Sequence, residues 1–378
     1  MTRTTLNILT LLLTMIAAAL LLIDRSQAQA GQQEKPVEQT RKNIKALNGL
    51  PDSQLVPVMN FMASSLGVDC DHCHVVKDNR LAPELDDKPS KQTARRMIQM
   101  TFGINKNNHA IFGSTGAITC YTCHRGQTTP LTLPALPVPL PSRQPGTTAK
   151  ADEKLPTADE ILDRYVAAVG GKAAVEKLQT RVIKGTQTGA NGSTGTLEIY
   201  QAAPNKRLAI LTVGNGVFQT GYNGKVGWSK NPRGQSEVSG EQLAQLKGIS
   251  DFYGVLHLRD LYPDMVVSEK EKIGDGSAYV IVSAVSDRRI EKLYFDTQTG
   301  LLLRISGLTL TPLARIPDQI DFADYREVDG VKLPFSITQS LINPEAGWTR
   351  KITEIKHNVP IDGAKFDMPT PPAAPAKP

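Results

Sequence analysis

All four cysteines of the chain lie in two copies of one pattern, Cys70-Asp71-His72-Cys73-His74 and Cys120-Tyr121-Thr122-Cys123-His124. Two thiols two residues apart, with a histidine directly after the second, form the arrangement that covalent attachment of haem c requires. The thiols reach the two vinyl groups on one porphyrin edge, and the histidine turns its imidazole onto the iron. Cys70, Cys73, Cys120 and Cys123 are therefore the candidate attachment residues. His74 and His124 are the candidate proximal ligands, and two covalently bound haem c groups are the implied cofactors.

Other cysteine chemistries fit the pattern less well. A pair of disulfides needs no histidine after every second cysteine. Zinc ribbons hold their two C-x-x-C knuckles about 15 to 20 residues apart, whereas 46 residues separate Cys73 from Cys120. A thioredoxin-like pair would be a single C-x-x-C beside a βαβ pattern, and neither copy sits in one.

Haem is attached after export in bacteria, and the first thirty residues agree with export. Arg3 precedes an apolar run from Leu6 to Ile23, and Ala28-Gln29-Ala30 has the small-x-small form of a signal-peptidase site. Residues 1–30 are thus expected to be a signal peptide and the mature protein periplasmic; an uncleaved membrane anchor is the alternative, since the run approaches a spanning length.

The 378 residues carry a formal charge of +6. Residues 31–130 hold 12 Lys/Arg against 9 Asp/Glu, and residues 151–378 hold 27 of each. No basic stripe interleaved with aromatics stands out, so nucleic acid is not an expected partner.

Between residues 130 and 156 prolines fall at 130, 134, 137, 139, 141, 145 and 156. Such a stretch reads as a semi-extended linker. The expected division is a signal peptide at 1–30, a two-haem domain at 31–130, a linker at 131–155, a second domain at 156–370 and a disordered tail at 371–378.

The elements around the first motif read as helices. Leu55, Met59, Met62 and Leu66 recur at helical spacing, and Gly67 follows as a left-handed cap. Pro57 suits only a first turn, which places the start near Asp52 or Ser53. A second helix runs from Ser90 through Ala94, Met97, Ile98 and Thr101 towards Asn105, and Val37 to Leu47 is also expected to be helical. A hundred residues bury a limited fraction of their surface, so two porphyrins would supply much of the apolar bulk.

At these residues the chain resembles the cytochrome c subunit of photosynthetic reaction centres. The similarity rests on Met59-Asn60-Phe61-Met62-Ala63-Ser64-Ser65-Leu66-Gly67-Val68-Asp69-Cys70, on Arg96-Met97-Ile98-Gln99-Met100-Thr101, and on Cys120-Tyr121-Thr122-Cys123-His124-Arg125-Gly126. It covers about residues 38–130. The resemblance implies a helix methionine as sixth iron ligand ahead of each motif: Met59 with His74, and Met97 with His124. Met100 and His109 are alternatives for the second iron, His109 matching a family position whose histidine serves a different haem. Reaction-centre members carry four haems and this chain carries two motifs, which sets it apart from them. Arg125 is a candidate partner for a haem propionate, and His72 reads as solvent-facing.

After the linker the pattern changes to strands. Leu197 to Tyr200, Leu208 to Leu211, Ala278 to Val282 and Lys292 to Phe295 are β-type runs bounded by turns at Asn223-Gly224, Asp296 to Gly300 and Asp329-Gly330. Helices are expected at Ala158 to Val169 and around Glu241 to Leu246. The order of elements, with Tyr222-Asn223-Gly224-Lys225-Val226-Gly227-Trp228, resembles the outer-membrane lipoprotein-carrier superfamily, which implies a sheet face able to take an acyl chain or a partner protein. The fold expected for the chain is therefore two-domain: a mostly α multihaem cytochrome c domain, then an α+β domain with an antiparallel open-barrel sheet.

His257 and His357 stand alone in the sequence, and no G-x-S-x-G, P-loop or clustered carboxylate motif appears. The leading expectation is an electron carrier, not an enzyme, serving redox protein partners such as a membrane electron-transfer complex. Two alternatives remain: a redox sensor or lipid-binding module driven by the second domain, and a haem peroxidase with one open iron.

Overall fold

The computed structural model describes residues 34–107, 118–130, 154–286, 288–311 and 313–370. The signal segment, most of the proline-rich stretch, the tail and His109 lie outside the described residues.

The first part begins with one turn of helix, α1 (Val37–Thr40), not the longer helix expected to Leu47. Arg41 is already extended and Asn43 adopts a left-handed φ of 59°, which ends the helical path. Helix α2 (Asp52–Leu66) carries Pro57 on its second turn and ends on Gly67, whose φ of 64° makes it a left-handed cap. A hairpin follows, β1 (Val75–Lys77) with β2 (Arg80–Ala82). Its two-residue turn, Asp78-Asn79, has φ of 50° and 56°, the geometry that matches strand twist. Helix α3 (Pro89–Asn107) and the short α4 (Cys120–His124) complete this part.

Two further helices, α5 (Ala158–Ala168) and α6 (Lys172–Glu176), lead into the strands. In α5, Thr157 and Glu160 cap each other: the Thr157 N–H donates to Glu160 Oε2 at 2.7 Å, and the Glu160 N–H donates to Thr157 Oγ1 at 3.2 Å. The strands are β3 (Thr180–Gly189), β4 (Thr194–Ala202), β5 (Lys206–Val213), β6 (Gly216–Tyr222), β7 (Gly227–Asn231) and β8 (Gly234–Glu237). Helices α7 (Gly240–Ser250) and α8 (Leu258–Leu261) intervene before β9 (Val266–Ile273), β10 (Gly276–Ser286), β11 (Arg289–Asp296), β12 (Leu302–Leu310), β13 (Arg315–Val328), β14 (Val331–Leu341) and β15 (Trp348–His357).

All thirteen of β3 to β15 form one antiparallel sheet, ordered β8-β7-β6-β5-β4-β3-β15-β14-β13-β12-β11-β10-β9. Two meanders become one sheet because β15 returns to β3, with Ile355 opposite Ile183. This overturns the expected fold class of a mostly α cytochrome half beside an α+β open barrel. Strand dominates the described chain, and the first part is not clearly mostly α. The cause in the first part is local: the backbone around each motif is spent on turns, a hairpin and extended segments. The cause in the second is non-local, since the pairing of β15 with β3 joins residues more than 150 apart.

The sheet's two edges are blunted. Strand β8 has four residues, and β9 places Glu269, Lys270, Glu271 and Lys272 in a row along its edge. Helix α5 covers one half of a face, with Ile161 and Leu162 on Ile281, Leu293, Phe295 and Leu302. Each such side chain contributes about 1.5–3 kcal/mol on burial. Towards the other end of the same face, Gly227 leaves room for Leu243 and Leu246 of α7.

The first part does not stand apart from this sheet. Val37, Leu47, Leu50, Val58, Phe61 and Ile98 share one apolar cluster with Leu313, Ala314 and Ile316 at the start of β13. Ser64 Oγ also donates to the Ile342 carbonyl at 2.9 Å.

Candidate haem-attachment site

Each motif is wound into a single turn. In the first, the His72 N–H donates to Asp69 O at 3.1 Å, and the His74 N–H to Cys70 O at 3.0 Å. In the second, Arg125 caps α4 with a left-handed φ of 49°, and its N–H donates to Tyr121 O. A turn of this kind sets residues three and four apart on one side. It therefore groups Cys70 with Cys73 and His74, and Cys120 with Cys123 and His124. All four cysteines are free thiols, so neither pair is a disulfide.

The two motifs meet. Gly126 donates its N–H to the Ser65 carbonyl at 2.8 Å, which seats α4 against the end of α2. The start of α3 is tied to the first motif, because Ser90 Oγ donates to His72 O at 2.5 Å and Lys88 Nζ to Asp71 O. Between these elements lies a cavity of about 320 Å³. Its walls carry Met62 and Leu66 from α2, His72 and Cys73 from the first motif, Thr93, Met97, Met100 and Ile104 from α3, and Cys120, Cys123 and His124 from the second motif.

The structure thus brings both ligand candidates of α3 to the same cavity as His124. Met97 is 41% and Met100 51% exposed, so neither is a core-packing methionine. Met59 does not line this cavity; it packs against the apolar cluster of Val58 and Phe61. The most buried stripe of α2 is Gln54, Val58, Phe61 and Ser65, one position back from the stripe read from the sequence. Met62, counted in the sequence only as part of a helix face, is the methionine that α2 presents to the cavity. The i, i+3 spacing of Met59 and Met62 was the available signal, and helical wheel geometry alone does not say which of two neighbours faces inward. Arg125 is exposed and acts as a helix cap. Nor are His257 and His357 isolated: their Nδ1 atoms lie 2.7 Å from Asp251 and 2.9 Å from Asp329.

The imidazoles suit axial ligation. His124 Nδ1 is 2.9 Å from the Gln127 carbonyl. A carbonyl only accepts, so Nδ1 is the donor of this contact and Nε2 is the nitrogen left for a ligand. His74 has a buried Nδ1 without a partner among the described residues. Burial first, and then Lys91, Arg95 and Lys88, push its pKa below the usual histidine value. Of these, Lys91 and Arg95 converge with Lys45 on Asp86, which accepts from each at 2.9 Å. Burial also raises the thiols of Cys73 and Cys120. Free thiols, imidazoles and an apolar wall with methionine sulfur fit a haem c donor set.

With the geometry in place, comparison with known proteins is informative. Residues 12–158 match the family model described as photosynthetic reaction centre cytochrome C subunit. The N-terminal part resembles that family. The photosynthetic reaction center cytochrome c subunit of Roseobacter denitrificans is 37% identical over 93 residues, 24% of this chain and 25% of that protein. That of Rubrivivax gelatinosus is 34% identical over 96 residues, 24% of each chain. The chain thus spans about a quarter of the length of the curated relatives it matches. For the C-terminal part the structural neighbours are a DUF1329 family protein from Desulfovibrio piger (TM-score 0.41, 11% identity, 55% of this chain and 96% of that one) and a LolA superfamily protein from Nitrosomonas europaea (TM-score 0.39, 11% identity, 57% and 99%). The family that the N-terminal part resembles is, by its description, one of cytochrome c subunits. Among the described residues no helix is long and apolar enough to cross a membrane.

Proposed function

We propose that the chain is a two-haem c-type cytochrome that carries electrons by outer-sphere transfer on the outer side of the cytoplasmic membrane. The observation that carries this reading is the single cavity shared by Cys73, Cys120, Cys123, His124, Met97 and Met100. In this reading Cys70 with Cys73 and Cys120 with Cys123 hold one haem c each, with His74 and His124 as proximal ligands. Met97 serves the second iron, with Met100 one turn along as the competing donor, and Met59 the first.

When bound, haem c supplies a one-electron ferric/ferrous couple. The protein's own residues set its terms. His124 is oriented by Gln127, and Leu66, Ile98 and Ile104 give the cavity an apolar wall. A methionine and a histidine as the two protein ligands would raise the potential of that couple, and Lys91 and Arg95, both paired with Asp86, lie near His74. With a histidine and a methionine both held by the chain, each haem would keep no position for a substrate, which separates a carrier from a peroxidase. Residues 31–130 form the haem-bearing unit, and residues 156–370 the sheet on which it sits. A redox protein is the partner proposed, with residues 1–30 directing export.

Haem staining of the exported protein, metal analysis and spectroscopic redox titration test this directly. The expected result is two haems per chain, both low-spin, with slow carbon monoxide binding to the reduced form. One haem per chain, or fast carbon monoxide binding at either iron, would refute it.

A further inference from the structure

The sheet holds a row of buried cationic and amide groups that the electron-carrier reading does not use. Arg181 on β3 stands directly opposite Gln201 on β4, and Gln201 directly opposite Arg207 on β5. Directly opposed residues point to one face, and strands lie about 4.8 Å apart, so the three side chains form a row about 10 Å long. Even spacing from Arg181 to Gln187, which opposes Arg350 on β15, places Arg350 on that face too.

Arg207 is 8% exposed as a residue, and among the described residues its guanidinium has neither a hydrogen-bond acceptor nor a carboxylate, its nitrogens keeping only some contact with solvent. Gln201 is equally buried; its Oε1 accepts from Arg181 Nη1 at 3.2 Å, and among the described residues its amide nitrogen has no acceptor. Arg181 Nε donates to His357 Nε2 at 3.1 Å and its guanidinium lies over the Phe252 ring, both neutral partners. Arg350 donates to Gln187 at 2.8 Å and stacks on Trp348, again without a carboxylate.

The same sheet shows what a self-contained buried arginine looks like. Arg289 on β11 is held by Glu291 at 2.5 Å and by Asp318 at 2.7 and 3.0 Å. Its pKa is raised, whereas burial pulls Arg181, Arg207 and Arg350 down to about 10, with Arg207 adding to the effect at Arg350. A buried cation without a counter-charge is costly, and a guanidinium fork matches a carboxylate or phosphate edge.

We infer that Arg207, Gln201 and Arg181, with Arg350 nearby on the same face, form a binding site for an oxyanion, a carboxylate or a phosphate. The face continues from this row into Ile183, Ile199 and Ile352, which are apolar. Two sources of the anion are therefore distinguished by the test: free phosphate, or the head of an amphiphile.

The experiment uses the full haem-loaded chain. Thermal unfolding and calorimetric titration are run with inorganic phosphate and with decanoate, on wild type, Arg207→Gln and Arg207→Lys. Haem absorbance reports that each variant is folded. The expected result is saturable binding of one probe, weakened at least tenfold in Arg207→Gln and less in Arg207→Lys. A further expectation is that ligand-free Arg207→Gln melts no lower than wild type, since it removes an unpaired charge. Binding of phosphate identifies a free oxyanion; binding of decanoate alone identifies an amphiphile head. No saturable binding of either probe, or equal binding by wild type and Arg207→Gln, would overturn the site. Should Arg207→Gln not fold, Arg350→Gln gives the same comparison.

Discussion

Gly67 and Gly126 touch backbone to backbone at the point where the two attachment motifs meet. A Cβ on Gly67 would run into the Gly126 carbonyl, and the φ of 64° at Gly67 is itself unfavourable for any residue with a side chain. The contact lets α4 seat on the end of α2 and so builds one wall of the shared cavity.

Gly67→Ala should therefore destabilise the protein by about 1–3 kcal/mol, the usual range for left-handed strain and a forced backbone shift. Denaturant unfolding followed at the haem Soret band measures this. An unchanged midpoint would show that the crossing is looser than the structure has it.

The axial ligands can be read one by one. Met97→Ala should abolish the red methionine-to-iron charge-transfer band of one ferric haem and lower its potential, while Met100→Ala should leave the band in place. Met59→Ala should do the same at the other haem. If instead Met62→Ala removes the band, the α2 residue that lines the cavity is the ligand and Met59 is core.

The haem-bearing part leans on the sheet through Leu313, which is 2% exposed within the shared apolar cluster. Leu313→Ala should cost about 2–5 kcal/mol, the range for emptying a buried leucine site. It should also split one cooperative unfolding transition into two, one seen by haem absorbance and one by far-ultraviolet dichroism. A single transition in the variant would mean that the two parts are coupled elsewhere.

Acid should loosen the segment around His74. The cations of Arg95, Lys91 and Lys45 hold the Asp86 carboxyl well below the usual carboxylate range. A group with a depressed folded pKa stabilises above its unfolded value, about 3.9, and that stability is lost as pH falls through the folded value. Wild type should thus lose stability progressively below about pH 4, and Asp86→Asn should be less stable at neutral pH with a flatter acid limb. Parallel pH profiles for the two proteins would remove Asp86 from this role.

What the sequence determined by itself is covalent chemistry and local structure. Two thiols and an imidazole within five residues form the proposed attachment motif wherever the chain goes, because the pattern is met inside one turn. The helix from Asp52 to the Gly67 cap, the helix through Met97, and the strands around Leu197, Leu208, Val280 and Leu293 follow equally from short-range periodicity and turn residues. Tertiary structure alone decided which parts meet. The return of β15 to β3 makes one thirteen-stranded sheet of two meanders, and no local pattern encodes a partner more than 150 residues away. The face of α2 turned to the cavity, with Met62 and not Met59, depends on where α4 lands. The charge balance of Arg181, Arg207 and Arg350 was equally hidden, since a cross-strand row exists only once register is set. Contacts between distant segments are paid for in chain entropy and settled by packing, so their residues carry no spacing rule that a linear reading can find.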